Sequence, residues 1–251
     1  MGFAAAGCTG PTPRAFQDDQ AKATTRQDLE PPARPKLERE AQDPPRSTAS
    51  LADDARHLAS DEPLERLQSA QRLRQAGADG AAASLKAVAM EHGKVAAANL
   101  EFLAALDFEG LPREMLEAAR QAAAAGLRRE QAEIRLAAAK LLHRQGPGDR
   151  RTEFISAICD EQRKVRWQVV RRYSDNPGEL ESAQLLLLVS FLSDGKLAAE
   201  VRGDVHALLL AVHEALSRGA RPPAYDPWAA PEVQAAALAQ WDAWARAASR
   251  R

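Results

Sequence analysis

The sequence predicts an all-α fold, an α-solenoid of about five antiparallel helix pairs with a C-terminal capping helix. Two observations predict it. A short pattern recurs: Val165-Arg166-Trp167-Gln168-Val169 is echoed at Ile134-Arg135-Leu136-Ala137-Ala138 and at Val201-Arg202-Gly203-Asp204-Val205, and without its arginine at Val95-Ala96-Ala97-Ala98-Asn99. With Leu64 opening a further apolar helix, the starts at 64, 95, 134, 165 and 201 lie 31, 39, 31 and 36 residues apart, in the range of stacked helical hairpins. From Asp61 onward apolar residues also follow a helical period, alanine is abundant as at Ala122 to Ala125, and no segment sustains strand alternation.

Bulk composition narrows the function classes. With 34 basic and 35 acidic residues the formal charge is −1, so whole-chain charge selects neither a nucleic acid nor a membrane surface, and any electrostatic role is local. Two cysteines, Cys8 and Cys159, offer no disulfide framework. No stretch approaches the roughly 20 apolar residues that span a bilayer.

Residues 1–8 are small and apolar up to Cys8, after which Thr9-Gly10-Pro11 turns polar and turn-forming. Residues 9–60 have the composition of a disordered tether: eight of the fifteen prolines (11, 13, 31, 32, 35, 44, 45 and 63) fall by position 63, among Gln, Asp, Arg, Ser and Thr. Such a segment buries too little apolar surface to offset its conformational entropy. Leu51, Ala55 and Leu58 share one face of a short helix that lacks the length to stand alone. Helical pairs then follow over 61–251. Asp61-Glu62-Pro63 starts the first, 64–76 with 80–91. The second pairs 95–106 with 112–125, with Gly126 as its expected C-cap. The third pairs 130–144 with 149–160 across Gly146-Pro147-Gly148, and the fourth pairs 163–173 with 179–192 across Asn176-Pro177-Gly178. A long helix over 197–216 precedes the cap, about 222–251, whose last helix runs from Pro231 to about Ala248.

In the Val-Arg helices the branched residue and the one four later share a face, so Ile134 with Ala138 and Val165 with Val169 pack inward while the arginine lies to one side. Asp160, Glu161 and Asp194 stand just before the helices that carry Arg166 and Arg202. These residues resemble HEAT repeats of the short bacterial kind, an armadillo-like helical class, over roughly residues 63–220. The resemblance implies that Arg135, Arg166 and Arg202 form a structural ladder with Asp160 and Asp194, bridging neighbouring turns by charge-assisted hydrogen bonds. Tyr225-Asp226-Pro227-Trp228 and Trp241-Asp242-Ala243-Trp244 look like the closing element of some bacterial HEAT-repeat proteins. Val233, Ala237, Trp241 and Trp244 recur at helical spacing, as a cap over the last apolar face requires. Ala5-Ala6-Gly7-Cys8 resembles the end of a bacterial lipoprotein signal, although leucine is more usual where Ala5 stands. That resemblance implies lipidation at Cys8, a start upstream of Met1 and a place in the cell envelope.

Candidate chemistry is thin. Ser193-Asp194-Gly195-Lys196 fits S-x-x-K and Ser174-Asp175-Asn176 fits S-D-N, but their order is reversed, no Lys-Thr-Gly follows, and both lie in turns that want these residues for backbone reasons. His206 and His213 face one way on a helix without the further ligands a metal needs, and Asp160-Glu161 diverge as adjacent helical residues do. Cys159, after Ile155 and Ile158, reads as a small buried hydrophobe. Between 128 and 172 twelve basic residues stand against six acidic, and Arg128, Arg129, Arg163, Lys164, Arg171 and Arg172 are the candidate polyanion contacts. The expected function is thus a non-enzymatic, protein-binding scaffold or adaptor of the bacterial envelope, with no cofactor, lipid-anchored through its tether and binding another protein along its second helices. The alternative is a cytoplasmic HEAT-like nucleic-acid-binding or DNA-repair protein that uses residues 128–172. A third class, pigment-attaching lyases built on similar repeats, finds no residue in its favour.

Overall fold

The computed structural model describes residues 48–248 apart from Arg218; Cys8 and the first 39 residues of the expected tether lie outside them. Among the described residues there are eleven α-helices and no strand: α1 (Thr48–His57), α2 (Pro63–Gln75), α3 (Ala78–Met90), α4 (Gly93–Ala105), α5 (Arg113–Gly126), α6 (Ala132–Gln145), α7 (Arg151–Ser156), α8 (Arg163–Asp175), α9 (Ser182–Ser193), α10 (Ala199–Leu216) and α11 (Ala235–Ala248). The all-helical class expected from the sequence is the class observed. None of these helices is long and apolar enough to cross a membrane.

Two interleaved series of contacts organise the helices. In one, α4 packs on α6, α6 on α8 and α8 on α10; in the other, α3 packs on α5, α7 on α9 and α9 on α11. Cross-contacts of α3 with α4, α5 with α6 and α9 with α10 tie the series together. Arg135 near the start of α6 reaches Asp160 just before α8, and Arg172 near the end of α8 reaches the carbonyl of His143 near the end of α6, so α6 and α8 run in the same direction. The core is one continuous cluster along the seam, with Leu100, Leu103, Ile134, Leu141, Phe154, Val165, Tyr173, Leu188 and Leu208 all fully buried. The inward pairs expected in the Val-Arg helices, Ile134 with Ala138 and Val165 with Val169, are buried, as are Val201 and Val205.

Four expectations need correction. The tether does not extend through residue 60: α1 occupies Thr48–His57, and the face that carries Leu51, Ala55 and Leu58 is buried against α2, α3 and α4. Tertiary packing supplies the stability that ten residues lack alone. Its carbonyl at Ala55 accepts a 2.8 Å hydrogen bond from the buried Asn99 amide, and Asp54 accepts one of 2.8 Å from Arg72 Nε. Gly126 is not a left-handed C-cap but the last helical residue of α5, where a Cβ would stand 2.9 Å from the Ala138 Cβ, so its role is to let α5 approach α6. The single helix expected over 149–160 is broken into a 3-10 turn at Gly148–Arg150, the six-residue α7 and a second 3-10 turn at Ala157–Cys159. The final helix starts at Ala235, after a 3-10 turn at Pro231–Gln234, which leaves Val233 73 % exposed rather than in the capping face.

Candidate interaction surface

The three repeat arginines come from equivalent places on α6, α8 and α10, and all three are buried. Each points Nη1 back at the turn that precedes its own helix. Arg135 donates to the carbonyls of Arg129 (3.1 Å) and Glu130 (2.6 Å), Arg166 to those of Asp160 (3.0 Å) and Glu161 (3.2 Å), and Arg202 to that of Leu197 (2.5 Å). Each then reaches forward to a later segment of the chain with the other face of its guanidinium. Arg135 binds both oxygens of Asp160 (Nε to Oδ2 2.7 Å, Nη2 to Oδ1 3.3 Å) and Glu161 at 2.8 Å. Arg166 Nε binds Asp204 at 2.6 Å, and Arg202 Nη2 donates to the carbonyl of Pro227 at 2.9 Å in the segment before α11. The hydrogen bonds to Asp160 hold the Arg135 guanidinium above its ordinary value, against the opposing effect of burial.

The expected place of Asp194 in this ladder is not the observed one. Its Oδ1 accepts from the backbone N–H of Lys196 at 2.9 Å, which closes the turn into α10, and the carboxylate that meets Arg166 is Asp204, two residues after Arg202. Sequence reasoning missed Asp204 because it sought acids in turns. The signal was Val201-Arg202-Gly203-Asp204 itself, with an acid inside the repeat motif.

The cap is an aromatic cluster on α10. Trp241 is fully buried, with its ring 6.0 Å from His206 and 5.6 Å from His213, both edge-on. Trp244 lies 5.1 Å from His213 and 5.3 Å from Trp241, and its indole N–H donates to Ser217 Oγ at 2.8 Å. Tyr225 donates its hydroxyl to the carbonyl of Leu192 at 2.9 Å. His206 and His213 therefore do face one way, but into the indoles. Burial holds both imidazoles below their ordinary value. The serine-motif fragments are turn chemistry: Ser193 donates to the carbonyl of Ser190 at 2.8 Å and Asn176 to that of Arg172 at 3.0 Å. Cys159 is half-buried, and burial, with Asp194 nearby, pushes the thiol up to about 11, away from thiolate chemistry.

Part of the basic stretch is neutralised from within. Seven of its twelve cations pair with acids of this chain: Arg135 with Asp160, Lys140 with Glu101, Arg150 with Glu153, Arg151 with Glu181, Arg166 with Asp204, Arg171 with Asp175 and Arg172 with Glu179. The candidate polyanion contacts are also split: Arg128 and Arg129 stand between α5 and α6, Arg163 and Lys164 open α8, and Arg171 and Arg172 lie about 12 Å along it, of which Arg172 is half-buried. Comparison with protein-family models, with curated proteins and with solved structures found no match for the chain.

Proposed function

We propose that this chain is a non-enzymatic docking scaffold built from HEAT-like helical pairs, which binds another protein along its exposed helix faces and is held in the bacterial envelope by an acyl group on Cys8. The observation that carries the scaffold reading is the repeated use of Arg135, Arg166 and Arg202: each bonds the turn before its own helix and then the next unit, the linkage an array needs to keep successive pairs in register. In such an array the outer faces of the helices stay open to a partner. The lipid anchor rests on the sequence Ala5-Ala6-Gly7-Cys8 alone.

Site-specific photo-crosslinking tests the first part. A photoreactive residue placed in turn at exposed positions of α6, α8 and α9 is expected to trap one protein at a contiguous subset of positions. Trapping of nucleic acid alone would overturn the reading in favour of a polyanion-binding role. Metabolic labelling with a palmitate analogue tests the second, with label expected on the chain expressed from its native locus and lost in Cys8→Ala.

A further inference from the structure

Six large apolar side chains stand exposed among the described residues, and five lie towards the ends of the structure: Leu64 and Leu67 on α2, Met90 at the end of α3, and Trp228 and Val233 before α11. The sixth is Trp167, 53 % exposed in the middle of α8 although its neighbours Val165 and Arg166 are buried. Tryptophan carries the largest apolar area of any side chain, and together with arginine it dominates the energetics of protein interfaces.

Helical spacing surrounds that indole with positive charge. Arg163 and Lys164 precede it by four and three residues and Arg171 follows by four, which places all three beside it on the same outward face. All three are exposed, and neither Arg163 nor Lys164 makes an ion pair with a carboxylate among the described residues. Arg171 is held only loosely, 3.9 Å from an equally exposed Asp175. Positive charge here reaches the neighbouring helix: after burial, Arg171 and Arg172 are the next causes that keep the His143 imidazole on α6 below its ordinary value.

The extent of the patch selects the partner. From Arg163 to Arg171 is eight residues, about 12 Å along the helix. Beyond its ends stand the carboxylates of Glu161, engaged by Arg135, and Asp175, and Lys140 on the adjacent α6 is already paired with Glu101. A nucleic-acid strand tracks along several successive phosphates and needs a longer run of cations than this patch offers. Two or three carboxylates with an apolar side chain between them fit the available length.

We propose that the outward face of α8, centred on Trp167, docks a short acidic segment of a partner protein, with carboxylates on Arg163, Lys164 and Arg171 and an apolar side chain laid against the indole. The contact face is then that of a first helix in its pair, not the second-helix ridge expected from the sequence. This assignment rests on the protein-binding reading above and narrows it to one surface and one partner chemistry.

Isothermal titration calorimetry of the full chain with a peptide of alternating Glu and Phe tests it, with the Gln-Phe analogue and oligothymidylate as comparison ligands. Binding of the Glu-Phe peptide is expected to weaken with added salt, and to fall about tenfold in Trp167→Ala and at least as far in the Arg163→Glu/Lys164→Glu double variant. All these side chains are exposed, so unchanged helical circular dichroism is expected in each variant. Peptide affinity indifferent to both substitutions would overturn the α8 assignment while leaving a protein-binding role elsewhere on the surface. Equal affinity for the Gln-Phe analogue, or no binding of the Glu-Phe peptide, overturns the acidic partner, and oligothymidylate bound in its place overturns the protein-binding reading as well.

Discussion

Arg135, Arg166 and Arg202 show how one residue type holds a chain together at two ranges at once. In each, Nη1 donates to carbonyls of the turn before its own helix, while the outer edge crosses to a later segment of the chain. With the side chains of Arg135 and Asp160 only 10 % and 9 % exposed, removing one partner leaves the other charge buried. Arg135→Ala is therefore expected to cost about 3 kcal/mol in urea-induced unfolding. Asp204 and Asp194 give a sharper comparison. Asp204→Asn should lower the unfolding midpoint because it weakens the 2.6 Å contact with Arg166, whereas Asp194→Asn, in an exposed turn, should leave it nearly unchanged; equal effects would discard the forward role of Asp204. The cap histidines set a pH dependence. Their folded values lie below the ordinary 6.5 because of burial, so below that pH the unfolded chain binds protons that the folded chain refuses. Stability from these groups is full above about 6.5 and declines as pH falls through the window beneath it. Nε2 of His206 is buried without a partner, so an added proton there has nothing to receive it. Urea midpoints between about pH 7.5 and about pH 5.5 should fall more steeply for the parent than for His206→Phe/His213→Phe, and parallel curves would reject this assignment.

Among the elements, α1 shows where local sequence misleads. Its apolar face of Leu51, Ala55 and Leu58 was readable, but its composition runs on from the proline-rich segment before it, and nothing nearby in sequence announces that Asn99, 44 residues away, will bond its backbone. Leu51→Ala should cost about 2 kcal/mol and release protection of α1 amides in hydrogen exchange before that of α6; loss at the same rate in both would mean that α1 is no separate unit. The α2–α3 corner makes a different demand. A Cβ on Gly80 would fall 2.0 Å from the carbonyl oxygen of Leu73, so Gly80→Ala should destabilise by about 1–3 kcal/mol, read from the same unfolding curves. Periodic elements such as α6, α8 and α10 were legible because one face repeats every turn. The break between α7 and its flanking 3-10 turns, and the helical rather than capping role of Gly126, were not, since both depend on what packs across from them. The ladder was half legible for the same reason: the arginines carry a local pattern, and the partner of Arg166 is fixed by the register of α10 against α8.

At the scale of the whole molecule, helices of the two series support one another along and across the series, so the last one is protected only by what covers it. α11 packs on α9, and Trp241 closes over α10. A chain ending at residue 221 is expected to expose that apolar end and to self-associate in sedimentation velocity, while the parent sediments without such association. The distribution of the four tryptophans has a spectroscopic consequence. Trp167 and Trp228 stand in solvent, whereas Trp241 is sealed and Trp244 is tied by its indole N–H to Ser217. Emission from this protein therefore has two channels: a red-shifted one that iodide quenches and that reports on the middle of the chain and on the segment before α11, and a blue-shifted, protected one that reports only on whether its far end is closed.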